Sequence, residues 1–185
     1  MTTTTRQRGF TLGETLTALA VVGIGLSLAA PGLQSVTRSN RQAVSVNQLV
    51  ATLHIARSEA VTRNAPVGVC ASSDGTRCDG TAWEQGWIAF LDTDANADHT
   101  PSEALVDQVP GLAGMQVRST EFERALTYRP NGRAVALGND ASTGEFSFCE
   151  PGADTAARVV IVRANGLPTL SDKRRDGSTA GCAKS

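Results

Sequence analysis

An uncharged apolar segment near the N-terminus constrains this chain more than any other feature. No charged residue occurs between Thr15 and Thr37, and Leu, Val, Ile and Ala dominate the segment. A helix needs about 20 mostly apolar residues to cross the hydrocarbon core of a bilayer, so the segment is long enough to span a membrane. Of the 185 residues, about 150 remain for a folded part, which is an ordinary domain size.

The charges around this segment indicate its orientation. Arg6 and Arg8 are the only charges in the first nine residues, which favours a cytoplasmic N-terminus and an exported remainder. A cleaved secretory signal is one alternative, because Ser27-Leu28-Ala29 offers a small-x-small site and a mature start at Ala30. A plain membrane anchor is another. Two features argue against the secretory signal: Glu14, since a carboxylate inside a bilayer is costly unless it is paired, and the helical pattern, which continues past Ala29.

The residues that precede the apolar segment carry a resemblance. Gly9-Phe10-Thr11-Leu12-Gly13-Glu14 resembles the type IV prepilin cleavage motif, Gly-Phe-Thr-Leu-x-Glu. The resemblance implies a leader of residues 1–9, cleavage after Gly9 by a prepilin peptidase and N-methylation of Phe10. It also implies that Glu14 faces the new amine of a neighbouring subunit inside the membrane. Gly13 and Thr15 depart from the large aliphatic residues usual in that family.

The helical pattern continues beyond the apolar segment. Pro31 stands where pilins often carry a helix-kinking proline. Apolar residues then recur at spacings of three and four, at Val46, Leu49, Leu53, Ala56 and Ala60. Pro66 ends the pattern. We expect a transmembrane half at 10–33 and a periplasmic amphipathic half at 34–64, with two helices broken at Pro31-Gly32 as the alternative.

The remaining residues, 65–185, predict a β-rich head. Short runs typical of strands alternate with turn signals such as Pro130-Asn131-Gly132 and Asn165-Gly166. The predicted strands lie at 67–70, 87–91, 104–109, 115–118, 126–129, 145–149 and 158–163. Because no helical pattern intervenes, we expect mostly antiparallel pairing. The predicted fold class is α+β and pilin-like, with a long N-terminal transmembrane and amphipathic helix packed on an antiparallel sheet.

Several motifs in the head narrow the resemblance. They resemble the GspH/FimT family of pseudopilins and minor pilins and comprise Trp83-x-x-Gly86-Trp87-Ile88-x-Phe90-x-Asp92, Tyr128-x-Pro130-x-Gly132 and Phe146-x-Phe148-Cys149. The resemblance implies a minor structural subunit of a type IV pilus or a type II secretion pseudopilus. Its implied partners are other pilins or pseudopilins, the prepilin peptidase and the inner-membrane assembly platform. Its implied location is the inner membrane with a periplasmic head, then a periplasmic or surface fibre. We expect both tryptophans to be core residues.

Four cysteines follow the apolar segment, at Cys70, Cys78, Cys149 and Cys182. An even number of cysteines in an exported domain indicates two disulfides. The short polar loop between the first two favours Cys70–Cys78, which leaves Cys149–Cys182. A zinc site lacks the usual ligand spacing.

An acidic loop follows the second predicted strand. Its oxygen-bearing side chains have the spacing of an EF-hand calcium loop and are Asp92, Asp94, Asn96, Asp98 and Glu103. Ala97, however, stands where such a loop needs Gly, and a strand precedes it instead of a helix. A solvated acidic hairpin loop is therefore favoured, with calcium as the alternative.

A basic group near the C-terminus is the candidate DNA-binding surface: Arg163, Lys173, Arg174 and Arg175. Some FimT-like relatives bind DNA through a Gly-Arg-x-Arg motif, but this chain has Gly166-Leu167-Pro168-Thr169 at the expected place. A solvated charged loop is the favoured interpretation, and DNA binding here would be weak and sensitive to salt.

Little in the sequence supports catalysis. The two histidines, His54 and His99, lie in no nucleophile or metal motif, and no phosphate-binding glycine loop occurs. We therefore expect a structural subunit without a cofactor rather than an enzyme. A periplasmic binding protein released by signal peptidase is the third class of function, and a mature start at Ala30 would indicate it.

Overall fold

The computed structural model describes residues 9–80, 82–151 and 157–180, and within its helix the side chains of residues 26–35 are not described. The chain divides into two compact units, Met1–Asn40 and Arg41–Ser185. The helix α1, Leu12–Arg63, contributes residues to both units, whereas every strand belongs to the second. The second unit is called the head below.

Helix α1 is continuous through residues 31 and 32, so the structure has one helix where the sequence also allowed two. The helix ends at Arg63, Asn64 adopts a positive φ of 50°, and Pro66 follows. A left-handed residue followed by a proline is a common way to stop a helix. Within the part of the chain that the structure describes, no helix combines the length and the hydropathy that a membrane crossing requires.

The head contains two antiparallel sheets. The first has five strands in the order β3-β2-β1-β5-β6, and the second has four in the order β4-β7-β8-β9. All pairings are antiparallel. The strands are β1 (Val67–Ala71), β2 (Gly86–Leu91), β3 (Leu105–Pro110), β4 (Gln116–Arg118), β5 (Ala125–Tyr128), β6 (Ala134–Ala136), β7 (Gly144–Cys149), β8 (Arg158–Val162) and β9 (Pro168–Ser171). A 3₁₀ turn, Trp83–Gln85, precedes β2.

The predicted apolar stripe of the helix forms the inner layer of the head. Val46, Leu49, Leu53, Ala56 and Ala60 are completely buried and share one core cluster with residues of both sheets. Burying a Val or Leu side chain contributes about 1.5–3 kcal/mol. The predicted α+β, pilin-like class is therefore confirmed, with the helix packed on antiparallel sheets.

Both tryptophans are completely buried in this core, as predicted. The indole of Trp83 donates to the carbonyl of Phe122 at 2.9 Å. The indole of Trp87 donates to the Thr52 hydroxyl at 3.0 Å, which in turn donates to Asp107 Oδ2 at 2.6 Å. Each polar group that enters the core is thus hydrogen-bonded, as burial requires.

Candidate functional site

The first candidate site is the start of helix α1. Gly9 and Phe10 precede the helix, which begins at Leu12. Thr11 Oγ1 accepts a hydrogen bond from the backbone N–H of Glu14 at 3.3 Å, and Glu14 Oε2 accepts one from the N–H of Thr11 at 3.4 Å. This reciprocal pair is a capping box, which satisfies N–H groups that the first helical turn leaves free. The Gly9–Phe10 bond therefore lies outside the capped helix.

Apolar side chains are exposed along the first unit. Among the described residues, eight large apolar side chains of this unit are more than half exposed: Phe10, Leu12, Leu16, Leu19, Val21, Val22, Ile24 and Val36. A continuous apolar surface of this kind marks a site of interaction with lipid or protein. The predicted kink at Pro31 falls within the ten residues whose side chains are not described, and it stays a prediction.

The acidic loop connects β2 to β3 around a buried carboxylate. Asp92 is fully buried, and it accepts hydrogen bonds from the N–H groups of Asn96 at 3.0 Å and Ala97 at 3.1 Å and from the Thr127 hydroxyl at 3.1 Å. Burial raises the pKa of Asp92, and these hydrogen bonds offset part of that rise. Ala97 adopts a positive φ of 58°, so the sharp turn that sequence reasoning reserved for Gly is made by an alanine.

Glu103 closes the same loop. Its carboxylate accepts hydrogen bonds from the N–H groups of Thr93 at 2.8 Å and Thr100 at 3.0 Å and from both threonine hydroxyls. Burial acts to raise the pKa of Glu103, but the hydrogen bonds outweigh it and the pKa is lowered. The Glu103 carboxylate therefore joins the two ends of the loop through Thr93 and Thr100.

Only some of the predicted calcium ligands lie close together. Asp92, Asp94 and Glu103 bring one oxygen each within 4.8 Å of one another, and Asp98 does not belong to this group. The Asn96 side chain instead donates to Asp94 at 2.7 Å and accepts from the N–H of Asp98 at 2.6 Å. Internal hydrogen bonds thus account for these side chains, as in the acidic hairpin loop that the sequence favours.

A disulfide lies beside the acidic loop. It joins Cys70 of β1 to Cys78 and closes the short loop between them. Cys149 is disulfide-bonded as well, and its predicted partner, Cys182, lies outside the described residues. Both His99 ring nitrogens face backbone oxygens, Thr76 at 2.6 Å and Glu103 at 3.1 Å, so the histidine connects the disulfide loop with the acidic loop.

Three of the four predicted DNA-binding residues line one groove. Arg163, Arg174 and Arg175 surround a cavity of about 650 Å³, together with Thr143 and residues of β8. Lys173 is exposed and does not line this groove.

Two of these arginines are already paired within the head. Arg174 lies 3.7 Å from Glu145, and Arg175 lies 2.9 Å from Glu121. The Arg175 N–H also donates to Glu145 at 2.8 Å. The basic tail thus folds back onto acids that are distant in sequence, and its charge is largely neutralised.

Sequence reasoning missed a junction at the ends of the two sheets. The turns after β5 and β8 share the pattern Arg-x-Asn-Gly, and in each the glycine N–H donates to the arginine carbonyl, Gly132 to Arg129 at 2.8 Å and Gly166 to Arg163 at 2.7 Å. Arg57 of the helix donates to Gly132 O at 3.1 Å and to Asn165 O at 3.4 Å. The Arg-x-Asn-Gly pattern, which occurs after both β5 and β8, is the sequence signal that could have predicted this junction.

The two turns also touch each other. A Cβ on Gly166 would lie 2.0 Å from the Gly132 carbonyl oxygen, and Gly166 has a φ of +77°, so only glycine fits. The buried Tyr128 hydroxyl donates to the Gly166 carbonyl at 3.0 Å. The Tyr128-x-Pro130-x-Gly132 motif is therefore the point at which both sheets meet the helix.

Similarity to known proteins identifies the family of this chain. The profile of the family described as Type II transport protein GspH matches residues 45–166, more than half of the chain. The chain belongs to the GspH family. The matched segment of this GspH family member begins within the buried face of α1 and ends at Gly166, the second turn of the junction.

Similar proteins include pilin-like proteins. Pilin-like protein PilA1 of Thermus thermophilus is 34% identical over 99 residues, which cover 52% of this chain and 56% of that relative. The chain therefore aligns with little more than half of that relative. The crystal structure of the type IV minor pilin FimU of Pseudomonas aeruginosa matches with a TM-score of 0.56 and 20% identity, over 73% of this chain and 91% of FimU. A second crystal form of FimU gives 0.55. The GspH family member thus shares its fold with a minor pilin.

Proposed function

We propose that this chain is a minor pilin or pseudopilin, a structural subunit of a type IV pilus or of a type II secretion pseudopilus. One observation carries the proposal: the helix that forms the inner layer of a GspH-family head begins at Leu12, within the prepilin-like motif Gly9–Glu14. The exposed apolar side chains of the first unit support burial of that part in lipid and among other pilin helices. The proposal assigns no catalytic role and no cofactor.

The proposal includes a maturation pathway. The prepilin peptidase removes residues 1–9 at the inner membrane and methylates Phe10, and the head lies in the periplasm. Glu14 then pairs with the amine of a neighbouring pilin, which offsets the cost of a carboxylate in lipid. Its capping partner, Thr11, is held by long hydrogen bonds of 3.3 and 3.4 Å, so the capping box is a weak competitor for this pairing.

The N-terminus of the mature protein tests this pathway. We expect the protein from membranes of its own host to begin at methylated Phe10, and the protein from a strain without prepilin peptidase to retain residues 1–9. Intact mass and N-terminal peptide mapping measure both. A start at Ala30 would instead indicate signal peptidase and would overturn the fibre proposal.

Deletion of the gene distinguishes the two fibres. The readouts are uptake of fluorescent DNA into the periplasm and secretion of exoproteins. Loss of uptake with intact secretion supports a pilus subunit, and loss of secretion with intact uptake supports a secretion pseudopilin. If neither process changes, the chain belongs to neither fibre.

The groove lined by Arg163, Arg174 and Arg175 supports a second proposal, weak contact with DNA. Since Glu145 and Glu121 already neutralise two of the arginines, few phosphates can be neutralised, so affinity should be weak and should fall only moderately with salt. Arg163 lines the groove and forms no ion pair among the described residues, so Arg163→Glu should abolish binding of a duplex oligonucleotide. Unchanged binding would contradict this role.

A further inference from the structure

The turn between β5 and β6 presents two unpaired positive charges on a fixed backbone. Arg129 and Arg133 are exposed, and neither has a carboxylate within salt-bridge distance among the described residues. Their backbones are joined by a hydrogen bond of 2.9 Å, and Arg57 holds the turn at Gly132. These guanidinium groups flank a cleft of about 420 Å³ that also contains Asn131 and Asp140. A preorganised cationic turn of this kind loses little entropy when it binds an anionic surface.

The acidic loop presents the opposite charge. Asp94 and Asp98 are exposed, and no cationic side chain lies within salt-bridge distance of either among the described residues. The loop is anchored because Ala97, which lies between them, is buried with Phe90 and Ala125 in the second core cluster. From Asp74 to Asp107 the chain has eight acids and one arginine.

The two charged surfaces lie at opposite ends of one strand. Asp98 lines a cleft of about 240 Å³ with Ala125, the first residue of β5. Arg129 directly follows Tyr128, the last residue of β5. Asp140 lines the cleft of the arginines and Arg124 lines the cleft of Asp98, but neither residue forms an ion pair among the described residues. Two heads stacked along the direction of β5 would bring the basic end of one onto the acidic loop of the next.

We propose that the basic turn, Arg129 and Arg133, docks onto the acidic loop, Asp94 and Asp98, of a second copy of this chain. Such a contact joins two different surfaces, so it is heterologous and leaves one basic turn and one acidic loop free in a pair of heads. Complementary charge sets its orientation and speeds encounter. The contact uses the head alone and does not depend on the helix-mediated assembly proposed above.

A charge-swap experiment tests this contact. Two full-length copies with different affinity tags are expressed together in a Glu14→Ala background, extracted in mild detergent and co-purified. We expect Arg129→Glu with Arg133→Glu, or Asp94→Lys with Asp98→Lys, to reduce co-purification of identical copies at least about fivefold at about 0.15 M salt. A mixture of the two variants should restore it. Salt at about 1 M should weaken the wild-type contact, because screening then acts within about 3 Å.

The matched control reverses two other exposed cations, Arg118→Glu with Arg41→Glu, and should leave co-purification unchanged. Restoration by the mixture guards against misfolding, because a misfolded variant cannot regain its partner. Unchanged association of the Arg129→Glu, Arg133→Glu copies, or failure of the mixture to associate, would overturn the proposal. If the Arg129→Glu, Arg133→Glu variant instead loses binding to a duplex oligonucleotide while co-purification persists, the turn binds nucleic acid and not a second head.

Discussion

Asp92 and Glu103 are neighbouring carboxylates of one loop whose pKa values shift in opposite directions. Burial raises the pKa of Asp92, whereas hydrogen bonds from Thr93 and Thr100 lower the pKa of Glu103 against the effect of burial. Ionised Glu103 is therefore favoured by folding and ionised Asp92 is disfavoured. The loop tolerates two carboxylates because their environments differ.

Replacing Glu103 with Gln should destabilise the head by about 1–3 kcal/mol at neutral pH, since the ionised acceptor of four hydrogen bonds is lost. Because the native pKa lies below the ordinary value of 4.5, the stabilisation by Glu103 is complete above that value and is lost as pH falls through the native pKa. The difference between wild type and Glu103→Gln should therefore shrink in acid. Urea unfolding followed by the fluorescence of Trp83 and Trp87 measures it.

Asp94→Asn is the control for this change. Asp94 is exposed and accepts hydrogen bonds only from Asn96 among the described residues. Its replacement should alter the free energy of unfolding by less than about 0.5 kcal/mol. An equal loss in both variants would show that charge in the loop, and not the hydrogen bonds of Glu103, stabilises the head.

At the scale of elements, strand β3 is an open edge of the five-stranded sheet, and Asp107 protects it. Asp107 Oδ1 accepts from the N–H of Gln108 at 2.9 Å, while Oδ2 accepts from Thr52 of the helix at 2.6 Å. An edge strand with free N–H groups invites pairing with another chain. The carboxylate occupies one such group and ties the edge strand to α1.

Replacing Asp107 with Ala should lower stability by about 1–3 kcal/mol, because Thr52 loses its acceptor in the core, and should increase aggregation through β3. Asp107→Asn keeps an acceptor oxygen and should lie close to wild type. Urea unfolding and light scattering during storage measure the two effects. Equal aggregation of both variants would contradict a role for the acceptor.

The strands of the head show which elements can be predicted from the sequence and which cannot. All seven predicted strands are present, because each carries several apolar or β-branched residues. Strands β6 and β9 were missed: β6 is only Ala134–Ala136, and β9 begins with Pro168. These two strands are extended because they pair with β5 and β8 across tight turns. Such pairing cannot be inferred from the local β-propensity of their residues.

Charge was the least predictable property of the candidate sites. Lys173, Arg174 and Arg175 form a basic cluster in sequence, yet Glu145 and Glu121 neutralise the two arginines after the tail folds back. Conversely, Arg129 and Arg133 belong to no charge cluster in the sequence, and neither forms an ion pair with any residue that the structure describes. Ion pairs between distant segments depend on tertiary structure, so local charge counts cannot reveal them.

At the scale of the whole head, Arg57 and Tyr128 hold one junction between the helix and both sheets. Arg57 donates to the carbonyls of both turns, and Tyr128 donates to Gly166. Burial raises the pKa of Tyr128 well above its ordinary value, so its hydroxyl remains a neutral donor throughout the range in which the protein is handled. The junction should therefore be insensitive to pH.

A double-mutant cycle measures this junction. Arg57→Ala should cost about 2–4 kcal/mol and Tyr128→Phe about 1 kcal/mol in the free energy of unfolding. Because both act on the contact between the two turns, the double variant should lose less than the sum. Arg63→Ala is the control: within the described part of the chain Arg63 makes only an exposed pair with Glu59 of the same helix, so the change should cost less than about 0.5 kcal/mol. Additive losses would show that the turns are held independently.

The burial of one side of α1 determines where this protein can be cut. Sequence patterns place the end of the helix near residue 64, so a fragment intended to contain only the sheets would begin there. Such a fragment would leave the sheets without Val46, Leu49, Leu53, Ala56 and Ala60, and so without their hydrophobic lining. A fragment that begins at Arg41, the first residue of the second compact unit, retains that lining. Helix α1 cannot be removed entirely, because its last six turns form the interior of the head.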